Sequence, residues 1–276
     1  MLVLFGLIIS LIVYAFVLST QNVNLLKPHR SIAFVGLRNY ISLARDASFA
    51  NSVRVTLLFT FVTTALALLL AMALALALDR PFRGRRLVRS LALVPWMIPP
   101  VVSGLMWRWL YMDEGGFING VLLQVGLIRS PILWLGRPHT AFWAIVIQHV
   151  WRSIPFLSLI FLAGLQGIPR ELHESARVDG ANAWQCLWRI TLPLLRPVVL
   201  TALVIKTMIS FLVFDVIYTL TGGGPLDATM VLSLLAYRQA FEGFTFSYSA
   251  ATSFCILFFS LLLTLLYVRL FGTGQA

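Results

Sequence analysis

The sequence predicts an all-α, polytopic membrane protein with six transmembrane helices. Composition is the first reason: 59% of the 276 residues are apolar and 11% are charged, where soluble domains carry about 25% charged residues. The mean hydropathy of +0.90 points the same way. Second, the chain holds long uncharged runs such as the 24 residues Val55–Leu78, enough to cross ~30 Å of hydrocarbon at ~1.5 Å per residue. Third, five arginines fall within Asp79–Arg89, a density that marks a cytoplasmic loop by the positive-inside rule. The net charge of +11 is scattered among apolar spans and builds no basic face, so membrane topology accounts for it and nucleic acid does not.

Met1–Ser19 is apolar and uncharged. Without a positively charged start or a clear small-x-small cleavage site, it reads as a first span rather than a signal-peptide core. Thr20–Arg54 follows as a polar outer segment, and Val55–Leu78 is the second span, rich in alanine and leucine that suit close helix packing. The third span, about Ser90–Tyr111, contains Pro95, Pro99 and Pro100. It is expected to be kinked or interrupted, either to line a substrate path or simply to bend the bundle.

Met112–His139 should lie outside. Ala141–Gln166 is the fourth span, with Arg152 ~16–18 Å deep. A charge near the midplane costs at least ~2.5 kcal/mol, so Arg152 should face the bundle interior, as a cavity or gate residue or as half of an ion pair between helices.

Pro169–Pro193, the longest polar insert, should form a helix-turn-helix bracket. Pro169 suits a first helical turn, Gly180 suits a turn that a Cβ would resist, and Ala183–Ile190 reads as a second short helix stopped by Leu192 and Pro193. On the first helix Glu174 lies one turn from both Arg170 and Arg177. The fifth span is expected from Arg196 and Pro197 to about Leu220. Lys206 and Asp215, half a rotation out of phase, cannot pair within it; Lys206, about 13 Å from the inner end, could snorkel. Leu226–Phe246 is the outer connection and Tyr248–Leu270 the last span. The division is 1–48, a first helix and outer loop; 49–270, a five-helix core with the bracket loop at 167–196; and 271–276, a short tail.

No chemistry-bearing cluster emerges. Cys186 and Cys255 fall on different elements and suggest neither a disulfide nor a metal site, and His29, His139, His149 and His173 are dispersed with no H-E-x-x-H. A membrane-embedded enzyme is therefore the weaker alternative to a transport protein. No G-x-x-x-x-G-K-[ST] loop exists, and Gly222-Gly223-Gly224 lacks its lysine, so any ATP must be hydrolysed by another chain.

Glu174, Ala176, Gly180, Ile190, Leu192 and Pro193 match, at fixed spacing over twenty positions, the E-A-A, three residues, G, nine residues, I-x-L-P pattern. In this the chain resembles the inner-membrane permeases of binding-protein-dependent ABC importers. Ser175 departs, standing where the pattern has its first alanine. The resemblance implies the type I permease fold, with the bracket as a cytoplasmic coupling helix between spans four and five. Its coupling residues would be Glu174, Ser175, Ala176, Asp179, Gly180, Ala181, Ile190, Leu192 and Pro193, seated in a groove of the ATPase.

Phe214-Asp215-Val216-Ile217-Tyr218-Thr219-Leu220-Thr221-Gly222-Gly223-Gly224-Pro225 is similar to the F-D-x-I-Y-x-L-T-G-G-G-P stretch of sugar-importing members. Phe34–Tyr40 is similar to their F-x-G-L-x-N-Y. The resemblance therefore implies a carbohydrate (maltose- or glycerol-phosphate-like) solute, with an amino acid or phosphate as the alternative. Implied partners are a second permease, usually a different chain; an ATPase dimer that uses the ATP and Mg²⁺; and an extracytoplasmic solute-binding protein. This chain would bind no cofactor or metal, and its place would be a bacterial or archaeal plasma membrane. Trp107, Trp151, Arg152, Asp215 and Tyr218 are the candidates for the substrate path. Related permeases usually begin with a short polar leader, so the true start is expected upstream of Met1.

Overall fold

The computed structural model describes residues 2–23 and 33–271; His29 and the end of the tail fall outside them. The chain opens with helix α1 (Leu2–Ser19), a two-residue antiparallel pair, β1 (Gln21–Asn22) with β2 (Ala33–Phe34), and α2 (Arg38–Ala44). The segment expected to be a polar loop is thus partly structured: Asn39 Nδ2 donates to the carbonyls of Ser19 and Gln21, fastening α2 to the end of α1.

Helix α3 (Ala47–Asp79) begins earlier than the apolar run predicts. Asp46 caps it by accepting from the Ser48 amide, so Arg54, expected in the loop, lies two turns inside the helix. Its buried stripe, Phe59, Thr63, Ala67, Ala71 and Ala75, recurs at helical spacing and uses small residues that let neighbouring backbones approach closely. At its far end Arg89 donates to the Leu78 carbonyl, one of the last carbonyls that have no partner within the helix.

The third span is interrupted. Helices α4 (Arg85–Ala92) and α5 (Val94–Met97) are followed by α6 (Pro100–Leu110) at a bend of 93°. Pro99 and Pro100 supply no amide hydrogen, and Ile98 is extended (ψ 128°), so the ladder cannot cross the break. Beyond it come α7 (Phe117–Gln124) and α8 (Pro138–Gln166). The intervening loop is gathered around Asn119, which accepts from the Ile132 amide and Trp134 Nε1 and donates to the Ile132 carbonyl.

After α9 (Arg170–Val178), α10 (Ala183–Cys186) runs through a π-helical turn, Leu187–Thr191, into α11 (Leu192–Phe211). Leu192 and Pro193 therefore do not stop the second bracket helix. The wider turn lets Pro193 enter without its ring striking the preceding carbonyls, and Thr191 Oγ1 donates to the Cys186 carbonyl five residues back. The span ends at Phe211, short of the expected Leu220. Leu212–Phe214 break it, and Asp215–Leu220 is a separate helix, α12, packed on α6. The connection then carries α13 (Leu232–Phe241) and ends in α14 (Phe246–Phe271), against which α1 packs with Phe16 edge-on to Phe254.

Among the described residues four helices are long and apolar enough to cross a membrane, five if the bent pair counts as one span, and Gly6–Ser19 is a further, shorter apolar helix. The core sits where α3, α8 and α11 meet.

Candidate functional sites: the bracket and the centre of the bundle

The bracket is built by local rules. Helix α9 ends in a Schellman turn: the Gly180 amide donates to the Arg177 carbonyl and the Ala181 amide to the Ala176 carbonyl, with Gly180 at φ +83°. This accounts for two positions of the sequence pattern: glycine at the left-handed residue, and alanine at 176, which the turn draws against Ala181. Asn182 and Gln185 then form a reciprocal capping box on α10. His173 Nε2 lies 3.1 Å from Thr191 Oγ1, tying the first helix to the π turn.

The residues that the resemblance assigns to coupling differ in exposure. Glu174, Ser175, Asp179, Gly180 and Pro193 are exposed, and Ala176, Ala181, Ile190 and Leu192 are half-buried. Glu174 forms no ion pair with Arg170 or Arg177; among the described residues the one salt bridge is Arg238–Glu242 at 3.5 Å. Cohesion in the bracket therefore comes from backbone turns and caps rather than charge. Its surface bears large apolar groups that the sequence reading did not single out: Val178 is 87% exposed, and Trp184 and Trp188, in edge contact at 5.6 Å, are 66% and 56% exposed.

The second region lies at mid-length of α8. Trp107 of α6 and Trp151 of α8 meet at 5.3 Å. Helix α12, bearing Asp215 and Tyr218, packs on α6 so closely that a Cβ at Gly104 would collide with Thr219 Oγ1. Tyr218 stacks on Phe214 at 5.3 Å and meets Tyr237 of α13 at 5.4 Å. The three elements bearing the substrate-path candidates thus adjoin one another, although only Trp107 and Trp151 are in ring contact. Arg152, half-buried, donates from Nε to the Ile98 carbonyl at 3.2 Å, at the break of the third span, and makes no ion pair.

Sequence reasoning missed a buried polar chain. Lys206 is 0% exposed and does not snorkel; its Nζ donates to Ser153 Oγ at 2.7 Å. Ser153 in turn donates to the His149 carbonyl, and His149 Nε2 lies 3.3 Å from Ser210 Oγ, which accepts from Thr63. Gln148, fully buried, donates to Ser103, while its Oε1 and Trp107 Nε1 are buried without a partner. These residues sit on different helices, so phase within one helix could not reveal them; Lys206 inside an apolar run was the available signal.

A bent bundle of helices long and apolar enough to cross a membrane, with a polar bracket between two of them, defines a polytopic membrane protein. Residues 67–271 match the family described as "Binding-protein-dependent transport system inner membrane component", and the chain belongs to that family. It is 41% identical over 86% of its length to the trehalose/maltose transport system permease protein MalF of Thermococcus litoralis, covering 79% of that relative. To the trehalose transport system permease protein SugA of Mycobacterium tuberculosis it is 35% identical, over 95% of this chain and 82% of the relative. To the sn-glycerol-3-phosphate transport system permease protein UgpA of Agrobacterium fabrum it is 34% identical, over 86% and 80%. In fold it is similar to a chain of a bacterial ABC transporter that imports the acidic polysaccharide alginate, with TM-score 0.81 at 21% identity, covering 99% of this chain and 96% of the other. The family match bears out the resemblance drawn from residues 174–193: the chain is a permease subunit of an ABC transport system, not an enzyme.

Proposed function

We propose that this chain forms one half of the membrane pathway of an ATP-driven sugar importer. The carrying observation is the 41% identity, over 86% of the chain, to a permease named for trehalose and maltose. The similarity of Phe214–Pro225 to the stretch of sugar-importing permeases agrees with it. In this reading α1 and the bent pair join the four long helices to make six spans, with both ends, the Arg80–Arg89 loop and the bracket in the cytoplasm of a bacterial or archaeal cell. Residues 1–48 form the first helix and outer loop, 49–270 the permease core, and 271–276 the tail.

The bracket, 167–196, is the coupling helix. Its exposed Val178, Trp184 and Trp188 supply contact area for a groove of the ATPase, as an amphipathic helix does in a groove. The ATPase dimer uses ATP and Mg²⁺, a second permease chain completes the path, and an extracytoplasmic binding protein delivers the sugar to the outer loops. Within the path, Trp107 and Trp151 present ring faces to the sugar, and Arg152, Asp215 and Tyr218 present polar groups. Reconstitution with the ATPase, the second permease and the binding protein tests this reading: ATP-dependent uptake of trehalose or maltose is expected. Uptake of an amino acid or of phosphate, with none of either disaccharide, would overturn the sugar assignment.

A further inference from the structure

Two consecutive residues of α8 contact two different elements. Ser153 accepts from Lys206 of α11, and Arg152 donates to the Ile98 carbonyl at the broken third span. Helix α11 is continuous with α10, so the element that carries Lys206 also carries the second half of the bracket, Lys206 standing ~22 Å along the axis from Thr191. Ile98, at the other end of the link, ends α5 before the bend of 93°.

The link is poorly suited to a merely structural role. A fully buried lysine amine is costly, and a single hydroxyl is weak compensation. Its nearest cationic neighbour along α8 is Arg152, and no carboxylate pairs with either group. The Ser153 proton is already committed to the His149 carbonyl, so its oxygen is free to receive Lys206 and to report where Lys206 lies. Two residues further on, Pro155 sits inside α8, and its missing amide deprives the Trp151 carbonyl of its helical partner. The α8 backbone is therefore weakened at the position that both contacts share. Trp96 of α5, stacked on Phe156 at 5.2 Å, makes the broken span follow this part of α8.

We propose that Lys206, Ser153 and Arg152 are positioning residues that transmit displacement of the bracket to the broken third span. Tilting α11 moves Lys206 and draws Ser153 with it. Helix α8 twists at Pro155, and Arg152 re-aims the carbonyl at Ile98, changing the angle between α5 and α6. This rests on the bracket being the ATPase seat.

The test uses the assembled importer in nanodiscs, with Cys186 and Cys255 first replaced by serine. Spin labels at Met97→Cys and Leu105→Cys, both exposed, read the bend before and after trapping with ATP and vanadate. The parent is expected to show a shift in label distance. Lys206→Met and Ser153→Ala should each abolish it with the ATPase still bound, the double variant should be no worse than either single one, and Lys206→Arg should restore it. A parent bend that does not change, or single variants that keep the shift, would overturn the link. The bracket reading fails differently: Gly180→Val would then leave the ATPase bound and hydrolysis coupled, whatever the labels show.

Discussion

Gly164 of α8 and Val198 of α11 approach so closely that a Cβ on the glycine would lie 2.8 Å from the valine Cγ2. Leu195 Cδ2 would be 2.9 Å away and Val198 Cγ1 3.0 Å, and a β-branched valine on a helix cannot turn both methyls aside. These two helices flank the bracket in the chain, and their crossing fixes the base from which it projects. Gly164→Ala should already lower the unfolding midpoint by pushing the helices apart, and Gly164→Leu should lower it further, with about 1–3 kcal/mol of overpacking. Thermal unfolding of the two purified variants checks this; equal midpoints would show that the crossing is loose.

Gly180→Val separates strain from crowding. Nothing lies within 4 Å of a Cβ at this site, so the whole penalty comes from φ +83°, about 1–2 kcal/mol for an ordinary residue and less for asparagine. Gly180→Val is expected to uncouple transport from hydrolysis or to release the ATPase without preventing membrane insertion, and Gly180→Asn to do so less. Copurification of the ATPase alongside uptake reads both, and full coupling in Gly180→Val would make the bracket a mere connecting hairpin.

Glu174→Lys becomes a cleaner probe than the sequence promised. The carboxylate makes no ion pair and is exposed, so its loss should change helix stability by only a few tenths of a kcal/mol. Reduced ATPase retention at normal membrane yield would then report the contact surface itself. Unchanged retention and uptake would remove Glu174 from that surface.

Arg152→Ala should impair uptake while the ATPase stays docked, because the side chain holds the Ile98 carbonyl at mid-length of α8 and never approaches the bracket. Normal uptake would class the residue as replaceable.

Cysteine accessibility tests the topology. Gly84→Cys and Asn182→Cys should label only from the cytoplasm, and Leu226→Cys, at a site 92% exposed, only from outside. Leu226 serves better than Gly223, where a Cβ would press on Met230 at 2.6 Å. Outside labelling of Asn182→Cys would overturn the topology and the coupling assignment together.

Much of this architecture was legible because local rules set it. Uncharged runs located the long helices, three prolines located the broken span, and Gly180 located the bracket turn. Legibility failed where tertiary contacts decided. Lys206 in an apolar run signals a polar group inside the bundle, but nothing local names its partner, since Ser153 lies 53 positions away in sequence. Nor did Pro193 act as a stop, because the π turn absorbs it; and the span ended at Phe211 because α12 is drawn onto α6 at Gly104.

The π turn has a consequence for how the bracket is aimed. It holds one residue more than an α-turn would, and each residue advances a helix by about 100°. Leu187–Thr191 therefore works as a rotational offset, setting the compass bearing of Trp184 and Trp188 relative to the face of α11 that packs on α8. Were one residue deleted there, the helix would close into regular α geometry with every buried contact of α11 intact. The bracket would still be folded, but it would point elsewhere.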